Sequence, residues 1–282
     1  TGNEIYAAAN GTYIYPPAFA YALAPLTKLT YPWAGAVWAL TNSTIIFFTS
    51  LLIARFSLRT LTISYDRSKL FLVAGLGLLI MVDKARAVVF MGQTDALVLL
   101  LCTLALIAIQ KRPVRMGLAL GAAIVIKYQA LALVPYLIVR RKFLAAASAL
   151  ATFAALLLAP ALIVGWKQNI TYLHESAAVL STVFGNGENN FIASPHGLLW
   201  DRSVSITSAM SRWADSMGHE LIVGQAVAVV LAFLVLLGVV VLYRAHGLRL
   251  FKPEPTHKQH QYPPLQIIEW SGVLVAVLAF SP

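Results

Sequence analysis

The stretch 221–243, LIVGQAVAVVLAFLVLLGVVVLY, decides the fold, because it holds no Asp, Glu, Lys or Arg. A helix of roughly 20 mostly apolar residues crosses the hydrocarbon of a bilayer. The stretch 143–165, FLAAASALATFAALLLAPALIVG, reads the same way, and 33–54 is slightly more polar. The rest of the chain agrees. Of 282 residues, 59% are hydrophobic and 11% charged, and the mean hydropathy is +0.76. A soluble domain carries about 25% charged residues, so this chain lacks the charge to cover a soluble surface. We expect an all-α integral membrane protein, a multi-span helical bundle.

The net charge of +10 does not call for nucleic acid, because the positive residues sit in short runs between apolar stretches. These are Arg55, Arg59, Arg67 and Lys69; Lys111, Arg112 and Arg115; Arg140, Arg141 and Lys142; and Arg244, Arg249, Lys252 and Lys258. By the positive-inside rule all four clusters are cytoplasmic. Threading the chain between them gives a topology. Residues 1–31 lie outside, and Tyr15-Pro16-Pro17 fixes an extended backbone. Residues 18–30 are too short to span and lie along the interface. Span 33–54 goes in, 69–83 comes out, a turn at 84–93 reaches membrane depth, and 94–110 returns.

Residues 113–140 have basic residues at both ends and room for only one full crossing. We expect two half-depth helices with a break near Lys127, which return the chain to the side it left. Span 143–165 goes out, 166–220 forms a large outer loop, 221–243 returns, and 265–282 heads out again. The single cysteine, Cys102, lies in an apolar run as a packing residue. The chain opens at Thr1 and stops at Pro282. We expect residues 1–282 to be one transmembrane domain, a piece of a longer protein whose first span, first outer loop and last spans lie outside it.

Polar residues at membrane depth are costly and are therefore functional candidates. Asp83, Lys84, Arg86, Gln93 and Asp95 cluster in VDKARAVVFMGQTD; they form either a solvated turn or a wall whose cations hold a phosphate. Lys127, in AAIVIKYQALAL, either snorkels or binds an anion such as a lipid phosphate. The run Gly185-Asn186-Gly187-Glu188-Asn189-Asn190, with Ser194 and His196 beyond, is either a turn or a surface for hydroxyl-rich ligands such as sugars. The neighbours His174 and Glu175 point different ways on a helix and make no dyad. Asn10, Asn42 and Asn169 each open an N-x-Ser/Thr triplet, read as chance. No metal-ligand spacing, phosphate-cradling Gly-rich loop or cysteine pair is present.

Several stretches, in order, resemble one family. Thr12-Tyr13-Ile14-Tyr15-Pro16-Pro17-Ala18-Phe19 with Ala24-Pro25-Leu26 looks like its YxYPP…aPL segment. Trp38-Ala39-Leu40 and Asn42 follow at the expected distance, and Gly92-Gln93-Thr94-Asp95 resembles its GQ-x-N step with Asp in place of Asn. Gly117 through Lys127, then Pro135-Tyr136-Leu137 and Arg140-Arg141, resemble G…aaaiK…pyLllrr. Asn189-Asn190 with Ser194 and Gly197 is similar to NQS…G, and Ser281-Pro282 to the start of SP-x-SW-x-HH.

The family is glycosyltransferase family 87, polyprenol-phosphate-sugar transferases of the GT-C architecture that include the phosphatidylinositol-mannoside mannosyltransferases. The resemblance implies a GT-C bundle with an interfacial helix, short or broken helices and a large outer loop. It implies inverting transfer of a hexose, mannose by expectation, from a polyprenyl-phosphate-sugar donor to a lipid or glycan acceptor on the outer face of a bacterial plasma membrane. Partners would be membrane lipids, that donor and a glycolipid or glycan acceptor, with no nucleic acid, cofactor or metal. Lys84, Arg86 and Lys127 would hold the donor phosphate. Tyr15, Gln93, Asp95, Asn189 and Asn190 would contact sugar or acceptor. The catalytic Asp of the family is expected upstream of Thr1, leaving Asp95 as a weak candidate here and the chain as given inactive. A flippase or transporter of lipid-linked sugar, with its site at the break, and a non-catalytic pseudoenzyme are the alternatives; no internal repeat supports the transporter.

Overall fold

The computed structural model describes residues 15–61, 63, 66–109, 111–181, 199, 205–245 and 263–280. The described residues contain helices and no strand. Among the described residues, three helices are long and apolar enough to cross a membrane: Tyr31–Thr60, Phe143–Val164 and Leu221–Ala245.

Pro16 is extended (φ −57°, ψ 152°) and Pro17 opens helix α1 (Pro17–Leu23), where its missing N–H costs nothing. A 3₁₀ turn, Ala24–Lys28, follows. Neither is long enough to span, in line with an interfacial segment. Helix α2 (Tyr31–Thr60) then runs ~45 Å at 1.5 Å per residue. The next helices are much shorter: α3 (Arg67–Ile80), capped by the Asp66 side chain on the Ser68 N–H, and α4 (Val82–Phe90). The expected turn at 84–93 is thus largely a helix. Residues 82–90 hold neither Gly nor Pro, so nothing stops the helical backbone before Gly92, which takes a left-handed φ of +63°.

Helix α5 (Asp95–Ala108) and helix α6 (Pro113–Ile126) pack side by side as the next pair. At Lys127 the backbone leaves the helix for an extended conformation (φ −144°, ψ 117°). A 3₁₀ turn, Tyr128–Ala132, and helix α7 (Leu133–Val139) carry the chain back. This is the broken hairpin expected from the basic residues at both ends. Two contacts place those ends together. The Lys142 ammonium donates to the Ile109 carbonyl at 2.9 Å, and Ser148 Oγ donates to the Val114 carbonyl at 3.2 Å.

Helix α8 (Phe143–Leu158) then rises parallel to α6. Gly117 lies against Ala145 and Ser148, and Gly121 against Ala149 and Thr152, so each step along one helix matches a step along the other. The G-x-x-x-G spacing removes side chains where the backbones meet, which is how helices approach closely in lipid. Met116, Leu120, Ile124, Leu133, Leu137, Ala145 and Ala149 fill the core beside this seam.

Beyond α8, a short turn of helix α9 (Ala161–Val164) leads to α10 (Trp166–Ser181). Helix α11 (Ile206–Ser216), capped by Ser205, packs on α12 (Leu221–Ala245), and α13 (Pro263–Phe280) closes the described bundle. The expected outer loop 166–220 therefore carries two helices among its described residues. Asn42 and Asn169 are fully buried, which rules out glycan attachment at either.

Chain direction gathers the basic residues at one end. The C-terminal end of α2 and the start of α3 carry Arg55, Arg59, Arg67 and Lys69. The α5–α6 connection carries Lys111 and Arg112, and Lys142 bonds back to it. The opposite end holds the start of α2, the α4–α5 loop and the break at Lys127.

Candidate functional site

Three segments far apart in sequence converge at that opposite end. Lys127 forms an ion pair with Asp95, both side chains partly exposed. Asp95 is the first residue of α5, where the positive end of the helix dipole favours a carboxylate; Lys127 caps α6, whose C-terminal end favours a cation. The pair is thus set up by the two helix ends as well as by mutual attraction.

Tyr15 is the third member. Its hydroxyl lies within electrostatic reach of both charges: burial pushes its pKa above the usual 10.0, the Lys127 charge pulls it down and the Asp95 charge pushes it up. The group therefore remains a protonated donor at neutral pH. Pro16 and Pro17 are buried beside it, which fixes the backbone that follows it.

The loop that delivers Asp95 is clamped from α2. Trp38 Nε1 donates to the Gly92 carbonyl at 2.8 Å, and Asn42 Nδ2 donates to the Gln93 carbonyl at 3.2 Å. Asn42 is fully buried, and its Oδ1 has no hydrogen-bond partner. Phe19 of α1 meets the Trp38 ring edge-on at 6.2 Å. Trp38 and Asn42 lie seven and eleven residues into α2, so the loop sits ~10–16 Å below the start of that helix. The carboxylate and the cation are therefore recessed.

Gln93 itself makes a weak contact from Nε2 to the exposed Met91 Sδ at 3.8 Å. The remaining expected cations lie elsewhere. Lys84 is exposed on α4, and among the described residues no contact joins it to the Asp95–Lys127 pair. Arg86 is also exposed on α4, with its guanidinium 5.4 Å from the centroid of the Phe90 ring. Asn189 and Asn190, with the polar run around them, lie outside the described residues, as do Ser281 and Pro282.

Helix α10 borders the cluster. Tyr172 shares a hydrogen bond with Tyr21 of α1, and Ser176 Oγ lies 3.3 Å from the hydroxyl of Tyr128, the residue after Lys127. Glu175 occupies the same face with a buried Oε2 that has no hydrogen-bond partner. His174 is exposed, so the two neighbours form no dyad. Among the described residues, no group of three or more His, Cys, Asp or Glu could hold a metal ion.

At the basic end, sequence reasoning missed a second polar centre. Glu269 of α13 accepts hydrogen bonds from Tyr136 at 2.9 Å, from Arg140 Nε at 2.9 Å and from Tyr243, and Arg140 Nη2 completes an ion pair with it. One carboxylate thereby ties α7, α12 and α13 together. The signal was present: Glu269 is the one acid in the apolar helix 263–280. A charge in such a run needs a named partner.

These features define a multi-span helical membrane protein with a recessed acid–base pair at one end and a carboxylate staple at the other. The chain belongs to glycosyltransferase family 87, whose family model matches residues 13–255. No curated protein sequence and no solved structure matches it. The match spans the YPP segment, the α4–α5 loop and the Lys127 break, the three elements that meet in the recess.

Proposed function

We propose that the recess around Lys127, Asp95 and Tyr15 is the transfer site of a membrane hexosyltransferase. Its donor is a sugar, mannose in our reading, carried on a polyprenyl phosphate, and its acceptor is a lipid or glycan hydroxyl. The observation that carries this reading is the convergence of three separate segments on one cation–carboxylate pair at membrane depth, in a chain of a glycosyltransferase family.

The chemistry needs few groups. The acceptor hydroxyl attacks the anomeric carbon, the bond from that carbon to the phosphate oxygen breaks, and the lipid phosphate departs with the electron pair. The hydroxyl proton passes to a carboxylate acting as general base. Lys127 supplies fixed positive charge for the departing phosphate, and the low dielectric of the recess strengthens it. Asp95 accepts hydrogen bonds from sugar or acceptor hydroxyls, and Tyr15 donates one. By the positive-inside rule the basic end is cytoplasmic and the recess opens on the outer side.

The test is transfer from a radiolabelled polyprenyl-phosphate mannose to membrane lipids by the intact protein at matched expression. Wild type should transfer label, and Lys127→Ala should lose roughly tenfold to hundredfold, the equivalent of a charged contact worth about 1.5–3 kcal/mol. Full activity in Lys127→Ala would remove the cation from the mechanism. No transfer from any lipid-phosphate sugar by the wild type would overturn the donor class.

A further inference from the structure

Lys127 is a junction between two separately anchored pieces of backbone. Its N–H donates to the Ala123 carbonyl at 2.9 Å and ends α6; its carbonyl accepts from the Ala130 N–H at 3.2 Å and opens the 3₁₀ turn. The α6 side is fixed by the Gly117 and Gly121 seam with α8. The turn side rests on α13, which packs on both Tyr128–Ala132 and α7. Ala130, Leu133 and Leu137 share one buried cluster with Trp270 of α13, and Val273 and Leu274 pack against it. Apolar contacts alone specify the position of α13 along the turn only loosely, because lipid tails offer an apolar helix similar surroundings.

Glu269 specifies it. Its side chain is only 8% exposed, and both carboxylate oxygens are engaged. Oε2 accepts from the Tyr136 hydroxyl and from Arg140 Nε, each at 2.9 Å; Oε1 accepts from the Tyr243 hydroxyl and pairs with Arg140 Nη2. Tyr136 and Arg140, four residues apart, approach the carboxylate from one side of α7. Trp270, the next residue, meets the Tyr136 ring edge-on at 5.9 Å. Directional contacts on both oxygens admit one register of α13 on α7, and a slip of one helical turn, about 5.4 Å, would break them all.

Resting on the Lys127 reading above, we propose that Glu269 is a positioning residue for transfer. By fixing the register of α13 it holds the 3₁₀ turn, and through the Lys127 carbonyl it holds the ammonium against Asp95. The turn and α7 run ~20 Å between Lys127 and Arg140, so Glu269 lies at the basic end, away from the recess, and acts only through the break. A buried ion pair adds little stability over an apolar pair of similar volume, so the contribution of the staple is to geometry. A misplacement of about 1 Å at a reacting group, caused from a distance, costs roughly a hundredfold in rate.

The experiment uses the intact protein and reads the Lys127–Asp95 pair directly. A water-soluble carbodiimide joins an ammonium to a carboxylate in contact with it, and mass spectrometry of the digest measures the Lys127–Asp95 amide. Arg140→Met with Glu269→Met removes both charges together, so neither is left buried and unpaired. Tyr136→Phe with Tyr243→Phe keeps the ion pair and serves if the first variant fails to fold. At a melting temperature near that of the wild type, the variant should lose severalfold in cross-link yield and roughly tenfold to hundredfold in kcat for transfer. Sites this far apart normally contribute additively. In a Lys127→Ala background, however, the same substitutions should lower kcat no further. An unchanged cross-link in the folded variant, or a full additional loss of kcat on top of Lys127→Ala, makes the staple structural only and overturns the proposal. If the wild type transfers sugar from no lipid-phosphate donor, the Lys127 reading fails, and the cross-link alone decides whether Glu269 positions the pair.

Discussion

Lys127 and Asp95 form an ion pair across two helix ends, the C-terminus of α6 and the N-terminus of α5, although 31 residues of sequence separate them. Neither helix continues through the pair. The break at Lys127 exposes the end of α6, and the left-handed Gly92 turns the chain so that α5 starts beside it. The site exists because two helices stop at the same depth.

That pairing gives a first prediction. In the transfer assay, Asp95→Asn should retain more activity than Lys127→Ala, because an amide keeps hydrogen bonding to sugar while a lost cation leaves both Asp95 and the phosphate uncompensated. A double-mutant cycle with Asp95→Ala and Lys127→Ala should give a coupling of about 0.5–3 kcal/mol. Additive losses would mean that the two residues act separately.

A second prediction concerns the clamp. Trp38→Phe keeps the ring against Phe19 but deletes the donor to Gly92. It should lower activity with a loss of stability of only about 0.5–1.5 kcal/mol. Asn42→Ala leaves the Gln93 carbonyl unpaired and should cost about 1–3 kcal/mol, read by thermal unfolding in detergent. If Trp38→Phe transfers sugar at the wild-type rate, the clamp does not position Asp95.

A third prediction tests the α6–α8 seam. A Cβ at Gly121 would stand 2.5 Å from the Ala149 carbonyl oxygen, and one at Gly117 would stand 2.7 Å from that of Ala145. Gly121→Ala should therefore destabilise the protein even though alanine favours a helix by about 1 kcal/mol. Gly77→Ala, where a Cβ meets nothing within 4 Å, should be neutral or stabilising. Equal effects of the two on melting temperature would disprove the close approach.

The fourth prediction is topological. Cys102 is buried and should give little background to a membrane-impermeant thiol reagent. Ser216→Cys, exposed at the end of α11, and Lys111→Cys, exposed in the α5–α6 connection, should label from opposite sides of sealed vesicles. Labelling of both from one side would break the threading, and with it the outward-facing site. Ser176 would be a poor reporter on α10, since it is buried beside Tyr128.

By itself the sequence determined the class of fold. Uncharged runs of spanning length leave a helix as their natural solution in lipid, and basic residues at both ends of 113–140 require the chain to turn back near Lys127. The order of the YPP, GQ-x-D and Lys127 segments was enough to show the family resemblance. Tertiary structure alone decided which polar residues act together. Lys84, Arg86 and Lys127 look equivalent as intramembrane cations, yet only Lys127 meets Asp95, while Arg86 turns to Phe90 on an exposed face of α4. The staple at Glu269 likewise depends on Arg140, 129 residues earlier. Hydropathy sets how far each helix reaches, a one-dimensional quantity. Which helix ends coincide depends on how small residues such as Gly117 and Gly121 let the backbones pack, and that is settled only when the helices meet.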